Sequence, residues 1–321
     1  MACTSQPKFL DLIILAGTFG VVTSAIVKAH PSINVTIASL SFATRGGNGS
    51  AAFNETARFW KGINTYYAFG KSIVDQGGMD RSYLEPAGSG FSFSTQIEMP
   101  NMTVAEASAL LQPLLDSLNK TGVDFYSPPP DTGIYGTPQT GLGAMPANSR
   151  FASRLFPRAN WEDENLFTTT MQAIRRAVEA GYTFHGLFMG PSKRVAGYPG
   201  QHSAVNPAFR TTVMHADIFD FASPVGEPEV VNAAHERLNT YMEPIRAATK
   251  GSGAYTNEAD VQEPNWQESF WGSNYPRLRE IKNDWDPLGV FWAPSTVGSE
   301  DWEVRTADGL PTQNGKLCRV M

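Results

Sequence analysis

The sequence predicts an α+β fold in which helices cover one face of an antiparallel β-sheet. One reason is that strand candidates alternate apolar and polar side chains, which is typical of half-covered antiparallel strands. In the candidate over residues 90–98, the alternate residues of one face are Phe91, Phe93, Thr95 and Ile97. A second reason is that helical patterns lie between the strand candidates, so their apolar stripes can pack on one side of the sheet.

Four helices are predicted ahead of the C-terminal region, each from an apolar stripe with a start or stop signal. The first is capped at Asn54, and the second begins with a capping box of Thr103 and Glu106. The third and fourth end at Gly181 and Gly251, because glycine tolerates the left-handed conformation that closes many helices.

The strand candidates occupy the intervals between these helices. They are 19–27, 33–42, 90–98, 182–189, 204–215 and 254–260. A segment rich in proline and glycine, 127–147, predicts a long loop that could act as a lid. The polar tail after Ser295 predicts an arm, so we expect one domain over 1–294 and an arm over 295–321.

Charge and composition exclude several classes of partner. The net charge of -6 and the pI near 5.4 argue against nucleic acid or an anionic membrane. The sequence contains no CxxC, HxH or HExxH spacing, so we expect no metal site. A small molecule is the expected partner.

The apolar segment Phe9–Ala29 has two interpretations. It could be a signal peptide or membrane anchor. However, it contains Asp11, and small residues alternate with β-branched ones over Gly17–Thr23, as in a buried strand. The strand is the favoured interpretation. It favours a cytoplasmic location, but five N-glycosylation sequons would fit a secreted ancestor, so the compartment stays open.

The C-terminal stretch Asn274–Trp292 reads NYPRLREIKNDWDPLGVFW and predicts a helix followed by a strand. Pro276 suits the first helical turn, and the helix must end before Pro287. Gly289–Trp292 then predicts a short buried strand.

Several motifs together resemble the berberine-bridge-enzyme-like flavoprotein oxidases in their fungal form. Besides Asn274–Trp292, they are Gly17–Pro31, Ser203–Arg210, Ala254–Asp260 and Glu263–Trp266, in the family's order. The resemblance implies the substrate domain of that flavoprotein fold. It also implies that residues 9–30 are a strand left from the family's flavin domain.

The resemblance also bears on the cofactor. Family members carry FAD on an N-terminal domain with a glycine-rich loop, but Leu12-Ile-Ile-Leu-Ala16 stands where glycines would approach the cofactor. Branched side chains exclude such close approach to a diphosphate. We therefore expect this chain to bind no FAD. Protein side chains cannot accept a hydride as a flavin does, so an oxidase function of the chain alone is disfavoured.

The resemblance places Tyr255, Asn257 and Glu258 against the substrate, and these residues with His202 are the predicted catalytic groups. A carboxylate such as Glu258 in a half-apolar cleft could act as a base. The alternative that Glu258 only caps or solvates a turn stays open. For His202, a solvated loop histidine is the alternative.

Four further residues are predicted to contact substrate: Arg210, Trp266, Trp271 and Tyr275. The aromatic members could stack on an aromatic or polyene ligand, or instead pack around the C-terminal helix. Arg210 could instead pair with a structural carboxylate. His215 is expected to be a core histidine.

The predicted function is a cofactor-independent cyclase of the Diels–Alder or hetero-Diels–Alder type. It would act on a reactive polyketide- or terpene-like intermediate, because cyclisation needs orientation and a few hydrogen bonds. The alternatives are an FAD-linked oxidoreductase of the resembled family, or a non-catalytic binding or partner protein. A homodimer could cover the exposed apolar face.

Overall fold

One large antiparallel sheet organises the chain. The computed structural model describes residues 19–21, 23–24, 31–44, 50–134, 149–195, 203–310 and 315–320. The strands of the large sheet are β1 (Asn34–Ala43), β2 (Met79–Ala87), β3 (Gly90–Pro100), β4 (Phe125–Tyr126), β5 (Asp131–Ile134), β6 (Arg150–Pro157), β7 (Thr183–Phe188) and β8 (Thr212–Asp220). Their order is β4-β1-β3-β2-β7-β8-β6, and β5 also pairs with β1.

The helices follow the apolar stripes of the sequence. They are α1 (Ser50–Asp75), α2 (Val104–Thr121), α3 (Ala159–Glu162), α4 (Glu164–Glu179), α5 (Pro228–Ala248), α6 (Trp266–Trp271) and α7 (Tyr275–Trp285). The predicted capping box is confirmed, since Thr103 and Glu106 each bond the other's backbone N–H. None of the described helices is both long and apolar enough to cross a membrane.

Helices α1, α2, α4 and α5 pack on one face of the sheet. Every second strand residue enters this core, for example Phe93 and Ile97 from β3 and Ala216 and Ile218 from β8. The predicted fold class is therefore confirmed. The residues between them point to the opposite face, which we call the open face.

A smaller apolar cluster lies beside the sheet and includes helices α6 and α7. Its buried members are Phe19, Ala204, Ala254, Phe270, Trp271, Leu278, Ile281 and Val297. The chain then forms a hairpin of β9 (Trp302–Arg305) and β10 (Lys316–Arg319). Residues after Ser295 thus contribute to this cluster through Val297.

Three predicted strands are wrong in whole or in part over the described residues; of 204–215, residues 212–215 do belong to β8. Within 204–215, a 3₁₀ helix (Pro207–Thr211) precedes β8, because Asn206 caps it through the Ala208 N–H. Residues 254–260 contain a 3₁₀ turn (Thr256–Glu258). Residues 289–292 form no strand, since the Asp286 carboxylate accepts the N–H groups of Val290 and Phe291 that a strand would use.

Other boundaries also differ from the prediction. Helix α1 begins at Ser50, so Asn54 lies inside it and is not its cap. The strand predicted over 19–27 is also wrong where it is described, since residues 19–21 and 23–24 form bends and irregular backbone. The loop predicted over 127–147 contains β5 in its described part, and residues 135–147 lie outside the described residues. Strands β2 and β6 are absent from the predicted set, because charged or proline residues such as Arg81, Pro86 and Arg154 interrupt their apolar pattern.

Replacing Gly70 by alanine should destabilise the fold by about 1–3 kcal/mol, the cost of overpacking a core. A Cβ at Gly70 would lie 1.8 Å from Cζ of the Phe188 ring, which is fully buried. Gly62 on the same helix is the matched control, because its Cβ would lie 3.2 Å from Phe42. Urea unfolding of both variants tests this, and equal stability of the two would contradict the expectation.

Candidate active site

The strand register brings four side chains into one row on the open face. Ser153 on β6 lies opposite Asp217 on β8, Asp217 opposite His185 on β7, and His185 opposite Tyr83 on β2. Directly opposite residues of antiparallel strands point to the same side, with Cβ atoms about 4.5–5.5 Å apart. The register therefore assembles a polar site from four separate segments.

His185 and Asp217 form the centre of this row. The Nδ1 atom of His185 lies 3.3 Å from Oδ2 of Asp217, which is 2% exposed. The ring of Tyr83 stacks on the imidazole with centroids 4.4 Å apart. Burial raises the pKa of Asp217, an effect that the hydrogen bond from His185 partly offsets. Asp217 can thus hold His185 with its proton on Nδ1.

A second imidazole stands beside this pair. The Nε2 atom of His215 lies 2.8 Å from Oε2 of Glu258 and 3.4 Å from Oδ1 of Asp217. The hydrogen bond from His215 lowers the pKa of Glu258, whose side chain is half exposed. The ring of Tyr255 meets His215 edge-on at 5.7 Å. The cluster therefore runs from buried Asp217 to the surface at Glu258.

Four buried polar atoms of this cluster have no hydrogen-bond partner among the described residues. They are Nε2 of His185, Nδ1 of His215, Oδ1 of Asp217 and Oγ of Ser153. Buried polar atoms are normally paired, so a concentration of unpaired ones is typical of a site that completes its bonds with a ligand or water.

The segment that carries Tyr255 and Glu258 is held by a buried ion-pair network. The Glu263 carboxylate accepts bonds from Arg154 at 3.5 Å and from Arg246 at 2.7 Å. A backbone hydrogen bond also ties this segment to β6, since the Gly253 carbonyl accepts the N–H of Leu155. Glu258 is thus fixed over the end of the open face.

Aromatic side chains continue the open face beyond the polar row. Phe219 lies opposite Phe151 with ring centroids 5.7 Å apart, and Phe221 stacks on Phe219 at 5.4 Å. The Phe219 and His185 ring centroids are 6.1 Å apart. We call Phe151, Phe219 and Phe221 the aromatic row.

On the helix side of the sheet, the buried Asp80 carboxylate anchors the end of β7. It accepts the Phe188 N–H at 2.6 Å, the Thr95 hydroxyl at 3.2 Å and the Tyr66 hydroxyl. Burial raises the pKa of Asp80 to about 6. A proton therefore binds this carboxyl more tightly in the folded than in the unfolded chain.

We expect Asp80 to make the protein less stable as pH rises from about 4 to about 6, by up to about 3 kcal/mol. The sign follows from the raised pKa, since the buried carboxyl must lose its proton in this window. Asp80→Asn removes the titrating group, so its stability relative to wild type should rise over the same window. Urea unfolding at several pH values checks this. Parallel pH profiles of the two proteins would contradict it.

The structure brings two of the four predicted catalytic residues to this cluster. Glu258 bonds His215, and Tyr255 contacts the same imidazole. Asn257 is exposed and donates to the Tyr255 hydroxyl at 2.9 Å. His202 lies outside the described residues. The catalytic roles of these residues stay predictions.

The predicted substrate-binding residues lie elsewhere. Trp271 is buried in the second cluster, and Trp266 packs edge-on against Tyr275 at 5.6 Å. The Tyr275 hydroxyl donates to Glu300. Arg210 donates to the Pro191 carbonyl at 3.0 Å and to the Ser203 hydroxyl at 3.4 Å. Their contacts hold the C-terminal region and a loop together, and ligand binding by them stays a prediction.

His185, Asp217 and Tyr83 were not predicted from the sequence. The sequence did contain a signal for them. His185 and Asp217 are polar residues that lie between core-facing residues of their strands, so alternation places both on the opposite face of the sheet. The interpretation of His215 as a core residue is corrected. It is buried, but it points to the open face and pairs with Glu258.

The same residues could also be considered for a metal or a cofactor. One ligand atom each of His215, Asp217 and Glu258 lies within 4.8 Å of the others. The 2.8 Å contact of His215 with Glu258 also lets these two side chains share a proton.

A flavin ring system fits the open face in part. The unpaired polar atoms and the stacked rings of Tyr83 and His185 suit a planar, hydrogen-bonding group. The diphosphate of FAD is usually bound by a glycine-rich loop at the start of a helix. In the part of the chain that the structure describes, α2, α4 and α5 are preceded by Thr103, Asp163 and Glu227, and none of these caps is a glycine.

Comparison with known proteins identifies the fold and the proteins that this chain resembles. Residues 254–298 match the family model "Berberine and berberine like". The chain is 32% identical over 315 residues to an FAD-linked oxidoreductase of Gibberella zeae, covering 94% of this chain and 50% of that protein. It is 30% identical over 320 residues to a bifunctional decalin synthase of Penicillium decumbens, covering 95% and 51%.

Solved structures show the same fold. A VAO-type flavoprotein from Myceliophthora thermophila C1 superposes with a TM-score of 0.77 at 26% identity, over 98% of this chain and 55% of that one. The fold is thus that of the VAO-type flavoproteins. Within that class, the chain carries a match to the berberine-bridge-enzyme-like family model over residues 254–298 and is similar to fungal FAD-linked oxidoreductases, as the sequence motifs predicted. It spans about half the length of the curated relatives it matches.

Proposed function

We propose that this chain supplies the acid–base and substrate-contacting part of an FAD-linked oxidoreductase, with His185 as the general base. One observation carries the proposal. His185 has Asp217 on one ring nitrogen and a buried, unpaired second nitrogen on the open face. A histidine oriented in this way by a carboxylate is a common arrangement for a general base.

In the proposed reaction, Nε2 of His185 takes the proton of a substrate hydroxyl. The buried Asp217 carboxylate stabilises the imidazolium that forms, and this attraction is stronger in a poorly solvated site. When bound, a flavin supplies the acceptor for the hydride that leaves the carbinol carbon, so that a carbonyl results.

The neighbouring groups offer a path for the released proton. Asp217 stands between the two imidazoles, at 3.3 Å from His185 and 3.4 Å from His215. His215 in turn contacts Glu258, whose pKa is lowered by the hydrogen bond from His215 and whose side chain reaches solvent. These contacts connect the buried Asp217 to solvent at Glu258.

The test uses the purified protein with FAD and a panel of primary and secondary alcohols, mixed without oxygen. Loss of the flavin's visible absorbance with at least one alcohol is expected. A flavin that stays oxidised with every alcohol would overturn the oxidoreductase proposal.

A second candidate is the cofactor-independent cyclase of the Diels–Alder or hetero-Diels–Alder type. The relative named as a bifunctional decalin synthase favours it, and so does an open face that joins apolar rings to hydrogen-bonding groups. Such a surface could hold a polyene in a reactive conformation while Tyr255 or Glu258 bonds a carbonyl.

Flavin-free protein and a linear polyene with an activated alkene distinguish this candidate. An altered product ratio and a higher rate than in buffer would support the cyclase. An unchanged ratio and rate would overturn it, whatever the flavin assay shows.

A further inference from the structure

We infer that His215, Asp217 and Glu258 form a site for one divalent metal ion of the zinc class, which links strand β8 to the turn Thr256–Glu258. The site goes beyond the proposed function and does not depend on it. It also departs from the expectation of no metal site, which rested on short spacing motifs. Here the third ligand lies 43 positions after the first, so only the fold brings the ligands together.

The three side chains each present one ligand atom at distances that suit a single ion. The Nε2 atom of His215 lies 2.8 Å from Oε2 of Glu258 and 3.4 Å from Oδ1 of Asp217. Bonds of about 2.0–2.2 Å to Zn²⁺ put neighbouring ligand atoms about 2.8–3.5 Å apart in tetrahedral or five-coordinate geometry. Asp217 and Glu258 present ligand atoms within 4.8 Å of each other, and the half-exposed Glu258 side chain can adjust this last distance.

The buried carboxylate of Asp217 is the feature that most directly indicates a cation. The side chain is 3% exposed, and its Oδ1 atom faces Nε2 of His215 without a hydrogen-bond partner among the described residues. Burial raises the pKa of Asp217, because the charged form is poorly solvated there. A divalent cation bonded to Oδ1 would supply both the missing partner and the compensating charge.

The fold positions the ligands before any ion binds. His215 and Asp217 are two residues apart on β8, so alternation points both side chains to the open face. Glu258 approaches from a 3₁₀ turn that the buried Glu263 network holds. The second oxygen of Asp217, Oδ2, lies 3.3 Å from Nδ1 of His185. Carboxylates that bind metals usually have such an outer partner, which orients them.

The donor set favours Zn²⁺ over Ca²⁺ or Mg²⁺. One imidazole nitrogen with two carboxylate oxygens suits zinc, whereas Ca²⁺ and Mg²⁺ prefer sites built from oxygen alone. Three protein ligands leave a position for water. The Glu258 side chain is 50% exposed, so an ion can enter the site from that side.

Calorimetric titration of the full chain, treated first with a chelator, tests the site. Wild type should bind a single Zn²⁺ with high affinity, and Ca²⁺ at least about 10-fold more weakly. Glu258→Gln and Asp217→Asn keep the size of each side chain and remove its charge, so each should weaken Zn²⁺ binding at least about 10-fold. Circular dichroism checks folding. Glu258→Gln decides the outcome if Asp217→Asn does not fold, because Glu258 is half exposed.

The matched control is His235→Gln. The Nδ1 atom of His235 also lies near a buried carboxylate, 3.1 Å from Asp260, but outside the cluster, so this variant should bind Zn²⁺ like wild type. Zn²⁺ should also raise the unfolding temperature of wild type more than that of Glu258→Gln, since an ion that binds the folded chain stabilises it.

Four results would overturn the inference. They are no Zn²⁺ binding to wild type, equal binding of Ca²⁺, a Zn²⁺ affinity of Glu258→Gln within about 10-fold of wild type, and an equal weakening in His235→Gln. None of these measurements uses flavin or an alcohol, so they do not depend on the proposed oxidation.

Discussion

Replacing His185 by glutamine should slow alcohol oxidation by about 10²–10⁴-fold, the usual contribution of a general base. Glutamine approximates the size of imidazole and can still bond Asp217, but it cannot take up a proton at neutral pH. The fold should survive, because the substitution leaves the backbone hydrogen bonds between β7 and β8 in place. The rate of flavin reduction under saturating alcohol measures the effect.

Asp217→Asn tests whether His185 must be oriented by a carboxylate or needs only to lie near the substrate. An asparagine amide can donate to Nδ1 of His185, which would favour the tautomer with its proton on Nε2 and remove the base. This variant should therefore also lose most of its rate, although His185 is still present.

The matched control is His235→Gln. His235 is likewise a histidine close to a buried carboxylate, with its Nδ1 atom 3.1 Å from Asp260, but it lies on helix α5. Its rate should stay near that of wild type. If His185→Gln and His235→Gln oxidise alcohols equally fast, His185 is not the base.

Glu263→Ala should destabilise the fold by about 3–5 kcal/mol, the cost of leaving buried charges unpaired. The Glu263 side chain is 1% exposed, and it pairs with Arg154 at 6% and Arg246 at 12% exposure. Removing the carboxylate leaves two guanidinium groups with fewer compensating charges. It also frees the segment that holds Glu258, so oxidation should slow as well.

Urea unfolding measures this effect, and Glu179→Ala is its control. Glu179 pairs with Arg175 at 2.7 Å, but both side chains are well exposed, so the expected loss is below about 1 kcal/mol. Similar small losses in both variants would show that the buried network contributes little to stability.

The fold class was predictable because it depends on periodicity. Alternation along β3 and the apolar stripes of the helices each report burial on one face, and the sequence displays both. The capping box at Thr103 was predictable for the same local reason. The turn at 254–260 was not, since strand-like residues there form a 3₁₀ turn fixed by contacts with distant segments.

The candidate site was predictable only where it coincides with a family motif. Tyr255 and Glu258 were found in this way. His185 and Asp217 were not, because 32 positions separate them in the chain and only the pairing of β7 with β8 brings them together. The same holds for Tyr83, which reaches His185 through the pairing of β2 with β7.

The sequence by itself determined the α+β class, the helix signals and the family resemblance, because each rests on residues close together in the chain or on short motifs. The tertiary structure alone decided which face of each strand is covered and which side chains meet on the open face. The physical reason is register: a shift of one residue would turn His185 or Asp217 to the opposite face, and long-range packing sets that register.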